Sequence, residues 1–278
     1  MKQEGDSSMG SKTGKNIVII TGASSGIGQE FAMQLDALLY RTDEIWLVAR
    51  RKERMKELSK LLNVPAKIIP MDVTGAGEMQ AFAKLLESEK PKIRLLVNCA
   101  GFGYMGRFDE LGIGEQTAML RVNCEALTQM TWYCIPYMER NSRVIQLASS
   151  AAFLPQRKFA VYAATKSYVL SFSMALREEL RKKGIWVTAV CPGPVETEFF
   201  DIAEKYGSTL AIKKLTMVPA DRVVRQALRA SRDKKAVSVC SLPIKCFHVL
   251  SKALPHAWIL WIMNRMYGLE KKQENHHI

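Results

Sequence analysis

The sequence predicts an α/β protein: a single domain built on a doubly wound parallel sheet with helices on both faces. Three observations predict it. Short β-branched runs alternate with longer amphipathic stretches through most of the 278 residues, the order that parallel strands joined by crossover helices require. The strand runs are apolar throughout, as strands covered on both faces should be. Neither a repeat nor an internal linker divides the chain.

The elements follow in order. Asn16–Ile20 reads as a buried strand, and Gly26–Leu39 as a helix with Ile27, Phe31, Leu35 and Leu38 at helical spacing. Ile45–Val48, Lys67–Met71, Arg94–Asn98, Val144–Leu147 and Trp186–Val190 supply five more strands. Helices are expected over Arg51–Leu62, Glu78–Ser88, Gly114–Met138 as one long stretch, and Phe159–Lys183. Residues 1–14 are polar, without the apolar stretch of a secretory signal, and read as a loose tail. Residues 15–241 form the expected main domain, and 242–278 an apolar extension packed on it.

Composition excludes several classes. Six cysteines form no C-x-x-C pair and all four histidines fall from His248 onward, so no metal site is expected and the thiols read as reduced, in a cytoplasmic protein. The net charge of +13 could favour anionic partners. The charges fall in mixed runs such as Arg50-Arg51-Lys52-Glu53-Arg54, with no zinc-finger spacing or aromatic RNA-binding motif, so nucleic acid is not an expected partner.

Chemistry enters at the first strand–helix turn, Thr21-Gly22-Ala23-Ser24-Ser25-Gly26-Ile27-Gly28. Gly22 suits a tight turn, Gly26 a close backbone approach and Gly28 close helix–strand packing. The helix start beyond them offers free N–H groups to a pyrophosphate, as in a Rossmann-type fold. The second strand ends in Ala49 followed by Arg50 and Arg51, where an acidic residue would accept from a ribose 2′-hydroxyl. Guanidinium groups there would fork onto a 2′-phosphate, so the expected cofactor is NADP(H). Tyr162 and Lys166 stand one helical turn apart on one face, where the ammonium could draw the phenol from its ordinary pKa of about 10 toward working pH.

Taken together, these motifs resemble the short-chain dehydrogenase/reductase family. The glycine turn looks like that family's cofactor loop, and Asp72-Val73 like its adenine-contacting pair. Asn98-Cys99-Ala100-Gly101 is similar to its N-N-A-G motif, departing at Cys99. Asn123 falls where the family keeps a catalytic asparagine. Ser149, thirteen residues before Tyr162, matches its serine, with Ser150 as the alternative. Pro192-Gly193-Pro194-Val195-Glu196-Thr197 resembles the segment beside the nicotinamide carboxamide. The resemblance implies carbonyl–alcohol interconversion. Tyr162 acts as general acid or base, Ser149 polarises the carbonyl, Lys166 tunes Tyr162 and binds ribose hydroxyls, and Asn123 holds a water. Ser24, Ser25, Ile27, Asn98, Ala100, Gly101, Pro192, Gly193, Val195 and Thr197 join the cofactor set. Local readings stay open for some of these: Asp72 and Thr197 are also plausible helix caps, and Asn123 a buried amide satisfied by backbone.

The expected substrate is an apolar ketone or alcohol, such as a steroid, bile acid or other lipid-like carbonyl, on a homodimer or homotetramer. A 3-oxoacyl reductase serving an acidic carrier, and a cofactor-binding regulator without turnover, are the alternatives. Residues 242–267 are unusually apolar. Ile244, Phe247, Leu250 and Leu254 are expected on one helix face, with Lys245, His248 and Lys252 off it, before a break at Pro255. Each half would be roughly 17 Å long as helix, well short of a ~30 Å hydrocarbon core. Core or dimer packing, a lid over the substrate, and a helix pair lying on a membrane surface all remain open.

Overall fold

A computed structural model describes residues 14–38, 42–206, 217–255, 257–261 and 265. The expected N-terminal tail, save Gly14, lies outside the described residues, as do Ile262 and Met263 of the apolar C-terminal run.

Six strands form where apolar runs were read: β1 (Asn16–Thr21), β2 (Glu44–Ala49), β3 (Ala66–Pro70), β4 (Lys92–Asn98), β5 (Arg143–Leu147) and β6 (Trp186–Val190). A seventh pairs with β6 and is only Val237–Ser238, too short to show a pattern; it is β9 in chain order, because β7 (Val195–Glu196) and β8 (Val218–Pro219) form a separate parallel pair. All pairs in the main sheet are parallel, in the order β3-β2-β1-β4-β5-β6-β9. The chain winds outward in both directions from the β1–β4 boundary. The crevice beyond the carboxyl ends of strands at such a reversal is where ligands bind in open α/β sheets.

Helices α1 (Gly26–Leu38), α2 (Lys52–Lys60) and α8 (Ala220–Arg232) cover one face. The other carries α3 (Ala76–Glu89), α5 (Leu127–Cys134) and α6 (Ala160–Arg181). Two apolar cores result. Val18, Ile20, Ile45 and Leu47 point into the first, and Ile17, Ile19, Trp46 and Val48 into the second. This is the two-residue period of a strand expressed in a sequence that is apolar at every position, and it explains why alternation was invisible.

One expectation is refined and one corrected. The long helical stretch expected over Gly114–Met138 forms, running from Ile113 to Tyr137, but it is not α-helical throughout: α4 (Ile113–Leu120) passes into a π-helical segment, Arg121–Ala126, before α5 and a short 3-10 turn, Ile135–Tyr137. Such wide turns inside α-helices often mark functional sites. The C-terminal helix α9 (Leu242–Ala253) turns a different face inward. His248 and Ser251 join Ile244 and Phe247 against the body, His248 4.1 Å from the Phe153 ring, whereas Leu250 is 49% exposed. At about 100° per residue, positions 244, 247, 248 and 251 share a stripe and 250 does not. The helix stops at Ala253 because Leu254 is extended, φ −108° and ψ 147°, as the residue before a proline prefers. Among the described residues no helix is long and apolar enough to cross a membrane.

Candidate active site

A cleft of about 1020 Å3 runs along the carboxyl ends of the central strands. One end is formed by the glycine turn. Gly22 has φ +67°, and a Cβ there would lie 2.8 Å from the backbone nitrogen of Ala100. Only glycine lets the turn after β1 lie against the turn after β4. Thr21 locks the two together, its hydroxyl accepting from the backbone N–H groups of Cys99 and Ala100, each at 3.1 Å. The start of α1 therefore faces the cleft with its first N–H groups, an anion-binding arrangement.

Arg50 and Arg51 follow β2 onto the cleft wall. Arg51 donates to both serines of the glycine turn, from Nε to Ser24 at 3.1 Å and from Nη2 to Ser25 at 2.5 Å. Its third nitrogen meets Glu198 Oε2 at 2.9 Å. Asp72 lines the same end and accepts from the amide and hydroxyl of Thr74; the cap of α3 is Gly75, so Asp72 shapes a turn and does not cap that helix. Although burial opposes it, the Thr74 hydrogen bonds and the nearby Arg50 charge hold the Asp72 carboxyl below its usual range.

At the other end, α6 places Tyr162 and Lys166 on its inward face, both almost fully buried. Ser149 stands at the end of β5 with its hydroxyl accepting from Ala151 N–H at 3.1 Å, and it hydrogen-bonds the Tyr162 phenol. Burial pushes the phenol above its ordinary range, and the Ser149 bond pulls the other way. Burial also lowers the Lys166 ammonium to about 8, against the partial support of the Cys99, Cys124 and Cys191 thiols. Lys166 Nζ donates to the Leu147 carbonyl at 2.7 Å and lies 5.7 Å from the centre of the Tyr162 ring. Burial thus favours a neutral, protonated phenol, a group ready to donate. Burial is the larger of the two influences on the phenol, ahead of Ser149.

The cleft brings together all but two of the residues singled out from the sequence. Asn98 is buried at the end of β4, donating to Thr131 Oγ1 and Gln146 Oε1, each at 3.0 Å. Asn123, on the π-helical segment, accepts from Phe102 N–H at 3.1 Å and donates to Phe102 O at 2.9 Å and Thr165 Oγ1 at 3.0 Å. Both ends of its amide are held by protein. Asn123 pins the loop after β4 against α6, and Gly101 gives it room: a Cβ there would lie 2.9 Å from Asn123 Oδ1. Thr197 accepts from Phe199 N–H at 3.4 Å, a long bond next to α7 (Phe199–Ala203).

Sequence reasoning missed the apolar end of the cleft. Phe102, Tyr104, Met105, Phe159, Phe199 and Phe200 gather around Tyr162, with Phe159 stacked on its ring at 4.2 Å. Ile244 and Phe247 of α9 close that end. Gly103 was missed too; a Cβ there would come within 2.4 Å of Tyr162 Cδ2. The adjacent Phe199-Phe200 pair was readable, but nothing local tied it to Tyr162. Among the described residues no cluster of His, Cys, Asp or Glu could hold a metal ion.

The family model for the short chain dehydrogenases matches residues 16–206. The chain belongs to the short-chain dehydrogenase family. It is 31% identical over 188 residues to an uncharacterised oxidoreductase of Staphylococcus epidermidis, covering 67% of this chain and 80% of that protein. A second uncharacterised oxidoreductase, from Staphylococcus aureus, is 26% identical over 82% of this chain and 96% of its own. Among solved structures, a short-chain dehydrogenase from Sphingobium yanoikuyae in complex with NADPH has a TM-score of 0.73 at 26% identity, over 92% of this chain and 95% of that one. A relative from Burkholderia phymatum in complex with NAD, at 22% identity and TM-score 0.73, covers 85% and 92% and shares the fold. This short-chain dehydrogenase is therefore an oxidoreductase whose structural relatives bind nicotinamide dinucleotides.

Proposed function

We propose that the protein is an NADP(H)-dependent oxidoreductase interconverting a ketone and a secondary alcohol on an apolar, lipid-like substrate. The observation that carries this reading is the position of Ser149, Tyr162 and Lys166, where a phosphate-binding groove meets an aromatic pocket. The glycine turn, Asp72-Val73, Ala100-Gly101 and the 192–197 segment would hold the dinucleotide. Arg50 and Arg51, with Ser24 and Ser25, would hold a 2′-phosphate, and the NADPH complex of the Sphingobium relative supports that choice.

When bound, the nicotinamide supplies or accepts the hydride. Tyr162, kept protonated by burial, gives its proton to the carbonyl oxygen and takes it back in the oxidative direction. Ser149 donates to the same oxygen. Lys166 would bind ribose hydroxyls and, when charged, favour the phenolate left behind. Asn98 and Asn123 act as positioning residues, through the buried amide network and the Phe102 loop respectively.

The proposed substrate end is apolar, lined by Phe102, Phe159, Phe199 and Phe200, with Ile244 and Phe247 also lining the cleft. The described residues from 242 onward are thus read as an extension of the same domain, with Ile244 and Phe247 lining the pocket. The outer side of that extension exposes Leu242, Val249, Leu250, Trp258 and Trp261, and no Asp or Glu stands between Asp233 and Glu270. An apolar stretch whose charged residues are all cations fits peripheral contact with an anionic membrane better than contact with a second copy, whose cations would repel it. A separate face suits a homodimer: Leu120, Trp132, Tyr168 and Met174 are exposed on and beside α5 and α6, and Thr128 bonds Tyr168 at 2.8 Å.

A panel of ketones, alcohols and 3-oxoacyl thioesters, followed by nicotinamide absorbance with both cofactors, tests the assignment. Bulky apolar ketones should turn over with NADPH. Preferential turnover of carrier-bound acyl chains, or none at all, would favour one of the alternatives. Neutralising Arg50 and Arg51 together should cost NADPH at least about tenfold more than NADH; equal losses would remove the phosphate assignment.

A further inference from the structure

Glu198 belongs to no expected motif position, yet it sits where two functions meet. It follows Thr197, precedes Phe199 of the aromatic pocket, and lines the cleft. Its Oε2 lies 2.9 Å from Arg51 Nη1 and its Oε1 2.5 Å from Arg54 Nη1. Arg51 is otherwise committed to Ser24 and Ser25 of the glycine turn. Two guanidinium groups therefore flank a single carboxylate belonging to the protein itself, and one of them, Arg51, is anchored on the two serine hydroxyls. The three charged side chains are 43–50% exposed, so these pairs are exchangeable with a competing anion.

We propose that Glu198 is an internal competitor for the cofactor's 2′-phosphate: its carboxylate holds Arg51 until NADP(H) displaces it, and so it sets how strongly NADP(H) is preferred over NAD(H). The inference rests on the reading that Arg51 binds that phosphate. A phosphate monoester carries more negative charge than a carboxylate and offers three acceptor oxygens, so it wins Arg51. Glu198 keeps Arg54 as a second partner, which makes the exchange inexpensive. A dinucleotide without the 2′-phosphate brings no competing anion, and Glu198 stays on Arg51. A carboxylate that had to leave would also oppose the phosphate by repulsion, so its charge should cost affinity for NADPH and leave NADH untouched.

The test is a fluorescence titration of the whole protein with NADPH and NADH, for wild type, Glu198→Gln and Glu198→Asp. The Gln variant should bind NADPH about two- to fivefold more tightly, the size of a surface ion pair, with NADH changed less than twofold. Glu198→Asp keeps the charge and should stay closer to wild type than to Gln. Raising the salt should shrink the difference between wild type and Gln, since exposed charges are screened. Weaker NADPH binding by Glu198→Gln, or an equal shift for both cofactors, would show that Glu198 orders Arg51 and does not compete for it, and would overturn the proposal. The two readings fail separately. If wild type prefers NADPH and Arg51→Gln abolishes that preference while Glu198→Gln is silent, only the competitor role falls. If wild type shows no preference and Arg51→Gln is silent, the phosphate site falls and takes the competitor role with it.

Discussion

Tyr162 and Lys166 show what burial does to a pair of titrating groups. Each is pushed toward its neutral form, the phenol upward and the ammonium down to about 8. Tyr162→Phe keeps the ring and its stacking on Phe159 but removes the proton, so turnover should collapse by about 10²-fold or more while NADPH binding persists; steady-state rates beside a binding titration check this, and near-normal turnover would unseat Tyr162 as the acid. Lys166 carries a stability cost as well. Its folded pKa of about 8 lies below the ordinary 10.5, so the folded state is penalised in full below pH 8 and recovers as pH rises toward the unfolded value. Lys166→Met should therefore abolish function yet raise stability by about 1–2 kcal/mol at pH 7, after allowing for the lost bond to Leu147, and by much less at pH 10. Thermal melts at the two pH values decide it; an equal gain at both would assign the effect to packing.

Elements expose a second level. The π-helical segment and the loop 101–106 are built together. Asn123 holds Phe102, Met105 N–H donates to Ala203 O, and Gly106 N–H donates to Lys158 O, the latter two at 2.8 Å. The loop thus spans from β4 to α7 and the start of α6, and it presses Gly103 against the Tyr162 ring. Gly103→Ala should displace that ring and lower turnover about 10²-fold, because small misplacements of reacting groups are that costly, with NADPH affinity within about threefold. A rate within twofold of wild type would mean that the loop yields and does not position Tyr162. The sequence reading expected one continuous helix here because apolar spacing near 3.6 persists through a single wide turn. In α9 the four apolar residues do not share one face: Leu250 lies well around the helix from Ile244 and is exposed.

At the scale of the whole molecule, the proposed function assigns tasks to three surfaces: the cleft, the α5–α6 face and the outer side of the C-terminal extension. They can be separated experimentally. Trp132→Arg should reduce the assembled mass in light scattering and leave the reaction on small ketones intact; an unchanged mass would mean that this face is not the contact. Truncation before Leu242 removes Ile244 and Phe247 from the pocket. It should raise KM for bulky apolar substrates more than for small polar ones, and it should abolish cosedimentation of the full chain with vesicles rich in anionic phospholipid. Equal partition onto neutral and anionic vesicles would contradict the charge argument, and no vesicle binding by the full chain would leave the pocket wall as the extension's role.

Much of this protein was written locally. The strand runs, the glycine turn and the Tyr162–Lys166 spacing are properties of neighbouring residues, and a strand–turn–helix with glycines at those positions has few other conformations. Other features depend on groups far apart in the chain. Glu198 reaches Arg51 across 147 residues, Asn123 reaches Thr165, and Phe199 meets Tyr162 only because α7 folds over α6. The seventh strand is two residues long and is defined by its partner β6. Which face of α9 turns inward depended on the body it packs against. The protonation states of Tyr162 and Lys166 depended on the surrounding apolar cluster, because desolvation is a property of everything packed around a group and not of its position in the chain.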